Sequence, residues 1–269
     1  MATSPPRQQG PIADLVDRLQ ASGRYTFTRT EVERETQLSE SSLEAALRRL
    51  RARRRIATPR RGFHVIVPLE HQSAGAPPPP WFIDDLMRFL GQRYYVGLLT
   101  AAALHGAGHQ QPMVFQVVTD RPTRPARVGR ARIAFHVTRN LESVPVVALT
   151  TETGTMRAST PEATAFDLVR FVAAAGHTNN VATVLSELAE RLSADELARL
   201  APHHLLPDVQ RLGFLLEFVG EGVKAVRLQS WLGEQRVRPV VLARGRPKGS
   251  VKPVGAWRVI PNVDVEIDR

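Results

Sequence analysis

Apolar residues recur three and four positions apart over residues 12–23. Ile12, Leu15, Val16 and Leu19 share one face and Gly23 ends the run, which predicts a short amphipathic helix. In "TFTRTEVERETQLSESSLEAALRRLRARRR", Thr28 with Glu31 three positions on forms a capping box that opens a helix running to about Thr36. The pattern breaks around Gln37 and Leu38. Ser39 then caps a further helix in which Leu43, Ala46, Leu47 and Leu50 share a face. Next come β-prone Ile56 and Thr58, the turn "PRRG" at 59–62, and Phe63, Val65 and Val67 in alternation, the pattern of a hairpin. Helix, helix, tight break, helix and basic hairpin compose a winged helix-turn-helix over residues 1–71.

The tract "QSAGAPPPPW" at 72–81 contains four consecutive prolines, which donate no backbone hydrogen bonds and favour an extended chain, so it reads as a Pro-rich linker. Beyond it, residues 81–90 and 96–106 read as helices, and 113–119, 132–138 and 146–151 as short β-rich runs separated by turn-prone segments. A short strand precedes Thr160, which caps a helix with Pro161 at its first position and Glu162 near its positive end. Helices follow at about 179–192, 194–201, 208–219 and 222–232, and the strands "RPVVLA" and "AWRVIPNVDVEID" close the chain. The expected fold is mixed α/β (α+β): a winged helix-turn-helix followed by a larger mixed α/β domain at 82–269.

Composition narrows the chemistry. With 269 residues, 43% of them hydrophobic, the chain can bury a real core. No run approaches the ~18 apolar residues of a membrane span, and "MATSPPRQQG" lacks the apolar centre of a signal peptide, so a cytoplasmic location and no membrane partner are expected. Without cysteine there is no disulfide, thiolate metal site or cysteine nucleophile. The net charge of +10 points to a polyanion. All but three of the 36 basic residues are arginine, however, which a GC-rich genome produces on its own, so placement must decide. Residues 1–70 hold 13 basic against 8 acidic side chains, and the charge is densest there.

A helix fits the major groove of B-DNA and its N-terminal, outward residues meet base edges. Ser39, Ser41, Ser42, Arg48 and Arg49 are the candidates on the helix after Ser39. Arg53 supplies phosphate charge, and Arg60 and Arg61 occupy the tip of the wing. Glu40 and Glu44 repel phosphate unless they accept a hydrogen bond from cytosine or pair with a neighbouring arginine, and no base contact is assigned to them. A protein-binding winged helix, its arginines merely solvated, is the competing reading. Near the C-terminus "ARGRPKGSVKP" resembles the core of an AT-hook. Its Gly and Pro residues are explained by a hairpin connection, and Arg244, Arg246 and Lys248 are at most an auxiliary nucleic-acid contact.

The order of motifs is similar to that of the AbiEi family, the antitoxin and transcriptional-repressor half of type IV (abortive infection) toxin-antitoxin pairs. It is carried by the winged-helix pattern, "YYVGLLTAAALHG" (94–106) leading to "FQVVT", "ASTPEATAFDLV" (158–169), "QRLGFLLEFVG" (210–220) and "WRVIPNVDVEID" (257–268). The resemblance implies a DNA-binding domain that represses its own operon through promoter repeats and a C-terminal domain required for antitoxin activity. It also implies a nucleotidyltransferase-like toxin that need not be held in a stable complex. A monomer in solution with paired copies on repeated DNA fits this reading, since no heptad seam specifies a dimer. An orphan regulator or adaptor without a toxin is the alternative.

Nothing in the sequence makes a strong catalytic case. Asp264, Glu266 and Asp268 alternate along an expected strand and share a face, as Mg²⁺-binding carboxylates do. No lysine follows them, and an acidic edge is the simpler reading. The histidines lack metal-ligand spacing, and His105 is expected at a helix end with its ring in a packing hydrogen bond. Tyr94, Tyr95, Trp81 and Trp257 read as core rather than base-stacking platforms. No catalytic residue, metal or cofactor is expected.

Overall fold

The computed structural model describes residues 10–108 and 112–267. It opens with α1 (Pro11–Ala21), β1 (Thr26–Thr28), α2 (Arg29–Thr36), α3 (Glu40–Ala52), β2 (Ile56–Arg60) and β3 (Phe63–Ile66). The three strands form an antiparallel sheet in the order β1-β3-β2, the arrangement of a winged helix. The Thr28–Glu31 capping box is present, and Ser39 accepts from the Ser42 amide at 3.4 Å. Between α2 and α3, Gln37 adopts a left-handed conformation that makes the sharp turn. Ile12, Leu15, Val16, Val32, Leu43, Leu47 and Leu50 close the helical core, whereas Ala46, expected among them, is only half-buried.

Strand β3 departs most from expectation. Its residues are all buried, because the sheet is covered on both sides. Ile66 packs with Ile56 and Phe27 against the helices, and His64 lies beside them, stacked on Phe27 with ring centroids 5.0 Å apart. Phe63 and Val65, read only as alternating positions of a hairpin, join a second cluster with Phe82, Ile83, Leu86 and Met87. A run such as "FHVIV" is what a strand buried on both faces requires.

The proline tract is packed. Ala76 is buried, and short 3-10 turns at Leu69–His71 and Pro79–Trp81 bracket the tract. The Trp81 ring contacts Tyr25 and His71, with centroids 4.9 and 5.1 Å apart. There follow α4 (Ile83–Phe89), β4 (Tyr94–Val96), α5 (Leu98–Leu104), β5 (Phe115–Thr119), β6 (Ala126–Val128), β7 (Ala131–Val137), β8 (Val146–Thr151) and β9 (Gly154–Ser159). These strands form a six-stranded mixed sheet, β6-β7-β5-β4-β9-β8. Strands β4 and β6 have only three residues each, too short for a periodic signal, and the sequence placed a helix start and a turn there. Met113, expected to open a strand, is 92% exposed outside β5.

Helices α6 (Pro161–Arg170), α7 (His177–Leu188), α8 (Ala194–Leu200), α9 (Leu206–Phe218) and α10 (Gly222–Gly233) make the largest core. Thr160 caps α6 as expected. The chain ends with β10 (Val240–Val241) and β11 (Val259–Ile260), which pair in parallel, so the segment between them is a crossover and not a hairpin. Trp257 is fully buried against Gly213 of α9, where a methyl group would be driven into the indole ring. The described residues after β11 make no strand. Val263, Val265 and Ile267 turn to the core while Asp264 and Glu266 stay exposed, and Asp268 lies outside the described residues.

One buried acid sits between the sheet and α6. Asp167 accepts from the Tyr95 hydroxyl at 3.2 Å, and its other oxygen has no partner. Burial pushes its carboxyl up to about 7, although Tyr95 and Arg170 pull the other way. Unfolded aspartate titrates near pH 4. Between those values the folded chain holds a proton that the unfolded chain has released, so this group lowers stability as pH rises from about 4 to about 7. Asp167→Asn keeps an acceptor for Tyr95. Thermal unfolding should show the variant more stable than wild type at pH 8, by on the order of a few kcal/mol, with the gap closing toward pH 5; a pH-independent gap would contradict a raised carboxyl.

Candidate nucleic-acid interface

Helix α3 presents Ser41 and Arg48, seven residues apart and therefore on one face, to solvent. At its N-terminus the hydroxyls of Ser39, Ser41 and Ser42 lie together, with Ser39 Oγ 3.2 Å from Ser41 Oγ and 2.9 Å from Ser42 Oγ. The positive end of the helix dipole adds to an anion-friendly surface. Two basic flanks border this face. On the α1 side, Ser42, Arg49 and Arg53 line a groove of about 510 Å³ with Ile12, Ala46 and Leu50. Toward the wing, Arg51, Arg61, Gly62, Thr58 and His64 line a cleft of about 500 Å³.

The acidic residues of α3 share one arginine. Arg29, at the start of α2, bonds Glu33 at 2.7 Å and Glu40 at 3.0 Å and also pairs with Glu44. Its guanidinium offsets part of the repulsion that the two carboxylates on α3 would offer to phosphate, and it braces α2 against α3. Sequence reasoning allowed such a pairing but did not name Arg29. Arg48, Arg49, Arg51, Arg53 and Arg61 have no ion-pair partner among the described residues. At the cleft floor His64 is held neutral: burial and the nearby Arg51 push its imidazole down to about 4.

The two tip arginines separate. Arg61 is exposed beside the cleft. Arg60 turns the other way, bonding the carbonyl oxygens of Arg124 and Pro125, with its guanidinium 5.8 Å from the centre of the Phe135 ring. Burial and the neighbouring Arg124 pull its pKa below the usual arginine range. Its cationic group therefore docks the wing on the second unit instead of projecting from the tip.

At the far end, Arg244 also folds back. It pairs with buried Asp208 and donates to the Arg170 carbonyl at 3.2 Å, while Arg211 contacts the same Asp208 oxygen at 3.3 Å. Asn262 fastens the loop by bonding Ala243 in both directions and by donating to the carbonyls of Arg246 and Pro247 at 3.1 and 3.3 Å. Arg246 and Lys248 remain exposed. Nothing local in the sequence marks Asn262 as the staple, since its partners lie 15–19 residues away. His105 ends α5 and its Nε2 lies 2.7 Å from the Ser159 carbonyl, the expected packing bond. Among the described residues no three His, Asp or Glu side chains are grouped to hold a metal ion.

A winged-helix unit docked on a mixed α/β unit defines the class. Residues 95–218 match the family model described as AbiEi antitoxin C-terminal domain, in agreement with the resemblance carried by the motifs. None of the curated proteins matches it. Among solved structures, the crystal structure of the RV2827C protein from Mycobacterium tuberculosis is similar, with a TM-score of 0.66 over 93% of this chain and 92% of that one at 16% identity. That likeness shows a shared fold across both units.

Two exposed-loop residues separate structural from surface roles. Arg244→Ala leaves Asp208 with Arg211 alone and should cost about 1–3 kcal/mol in denaturant unfolding, whereas Arg246→Ala should leave the midpoint unchanged; equal effects would show that Arg244 is not a structural partner.

Proposed function

We propose that the chain is the antitoxin of a type IV toxin-antitoxin pair and represses its own operon by binding promoter repeats through the N-terminal unit. The observation that carries this is the combination of an AbiEi antitoxin domain with a winged-helix arrangement whose α3 face is flanked by unpaired arginines. Ser41, Ser42 and Arg48 are placed to meet base edges or phosphates. Arg49, Arg53 and Arg61 supply backbone charge, Ser39 acts through the cap, and Arg246 and Lys248 are auxiliary at most. Arg60 acts by positioning the wing. The partner is a nucleotidyltransferase-like toxin, opposed in the cytoplasm without a required stable complex, and the role needs no catalytic residue or cofactor.

The wing strand shares a hydrophobic cluster with α4, so removal of the N-terminal unit would expose Phe82, Ile83 and Leu86. Point variants of the full chain are the better test. Arg48→Ala with Arg61→Ala should weaken promoter binding by about 10–100-fold in a gel shift, while co-expression with the neighbouring toxin gene still rescues growth. Wild-type promoter affinity in the variant would remove this face from the DNA role. Absence of a nucleotidyltransferase reading frame beside the gene would favour the orphan regulator.

A further inference from the structure

The β6–β7 hairpin carries charge that folding does not account for. Residues 121–139 contain six arginines and no acidic residue. In the hairpin register Arg127 stands directly opposite Arg132. Both point away from the core, because their neighbours Ala126, Val128 and Ile133 are buried. Like charges directly opposite each other destabilise an antiparallel pair. Arg124, Arg127, Arg130 and Arg132 have no ion-pair partner among the described residues. Protection of a sheet edge explains a cation on β6, the edge strand. It does not explain Arg132, which lies on the interior strand β7.

The hairpin is also fixed in place beside the wing. Strand β2 lies against β6, and Arg60 holds the carbonyls of Arg124 and Pro125. At the hairpin turn, Gly129 (φ +57°) packs so closely on the backbone of Ala74 and Gly75 that no side chain fits, and the Arg130 amide donates to the Ala74 carbonyl at 2.8 Å. Arg61 at the wing tip is thus next in sequence to the residue that clamps the wing to the hairpin.

We propose that the β6–β7 hairpin is a second DNA-backbone contact, with Arg127 and Arg132 gripping phosphates of the same duplex that α3 and the wing engage. The proposal rests on the DNA-binding reading of the N-terminal unit. A phosphate between the two guanidiniums relieves their mutual repulsion and releases condensed counterions. A protein partner fits less well, since the exposed side chains of residues 121–132 are arginine and proline with no apolar or aromatic anchor.

The test compares full-length wild type with Arg127→Ala/Arg132→Ala on the native promoter, by fluorescence anisotropy over a series of salt concentrations. Arg236→Ala/Arg238→Ala, which removes the same charge from exposed positions elsewhere, serves as control. The hairpin variant should bind about 10–100-fold more weakly near 0.1 M salt, with a log K against log salt slope shallower by about 2 and an unchanged sequence preference. The control should keep the wild-type slope. With the like-charge pair removed, the thermal midpoint of the hairpin variant should stay level or rise, which separates lost contact from lost fold. Wild-type affinity and slope in the hairpin variant would overturn the proposal while leaving the DNA role of α3 intact. So would unchanged promoter binding with loss of growth rescue, which would assign the arginines to a protein contact. A wild-type chain that does not bind its promoter would overturn both the proposal and the reading beneath it.

Discussion

Strand β3 has to bury both of its faces. Ile66 belongs to the core of the helix-turn-helix, and Phe63 and Val65, one residue out of phase, belong to a core that includes α4 and the six-stranded sheet. A free wing would leave Phe63 and Val65 in water at a cost of roughly 1.5–3 kcal/mol for each large side chain. The second unit supplies the missing cover, and with it come the Phe63–Phe89 ring contact, the Thr26–Asp85 hydrogen bond and the Arg60 clamp. The orientation of α3 relative to the antitoxin domain follows from this shared burial and not from the length of the proline tract.

A docked wing changes which charges are available. Arg60 is consumed in the junction, Arg29 is consumed in pairing with Glu33, Glu40 and Glu44, and Arg244 is consumed by Asp208. Among the cations that stay exposed without an ion-pair partner among the described residues are those of the α3 face and its flanks, the wing-tip Arg61 and the β6–β7 hairpin. Net charge alone could not make this division, because arginine-rich composition distributes cations everywhere. Partner geometry makes it: an arginine with a buried acceptor is structural, and an arginine facing another arginine with no carboxylate nearby is left for an external anion.

Much of the N-terminal unit was legible in the sequence, because capping boxes and three-four periodicity are local signals. Thr28, Glu31 and Ser39 mark the helix starts, and Leu43, Leu47 and Leu50 mark the buried face. Non-local features were not legible. The two-faced burial of β3, the parallel pairing of β10 with β11 and the Asn262 staple depend on residues far apart in the chain. Short strands such as β4 and β6 carry too few positions for period two to register. Arg124, Arg127 and Arg130 were read as part of a turn and Arg132 as the start of a strand, since only the register reveals that Arg127 opposes Arg132. The antitoxin domain was recognised from the order of packing motifs, and the family match over residues 95–218 agrees with it.

A single basic surface spanning α3, the wing and the β6–β7 hairpin makes one claim that can be read in a single experiment. Amide hydrogen exchange of the full chain, with and without a duplex carrying the native promoter repeats, should show slowed exchange at residues 39–51, 58–63 and 124–132 together. Protection confined to the loop around Arg246 and Lys248, or no change at the N-terminal unit, would contradict it.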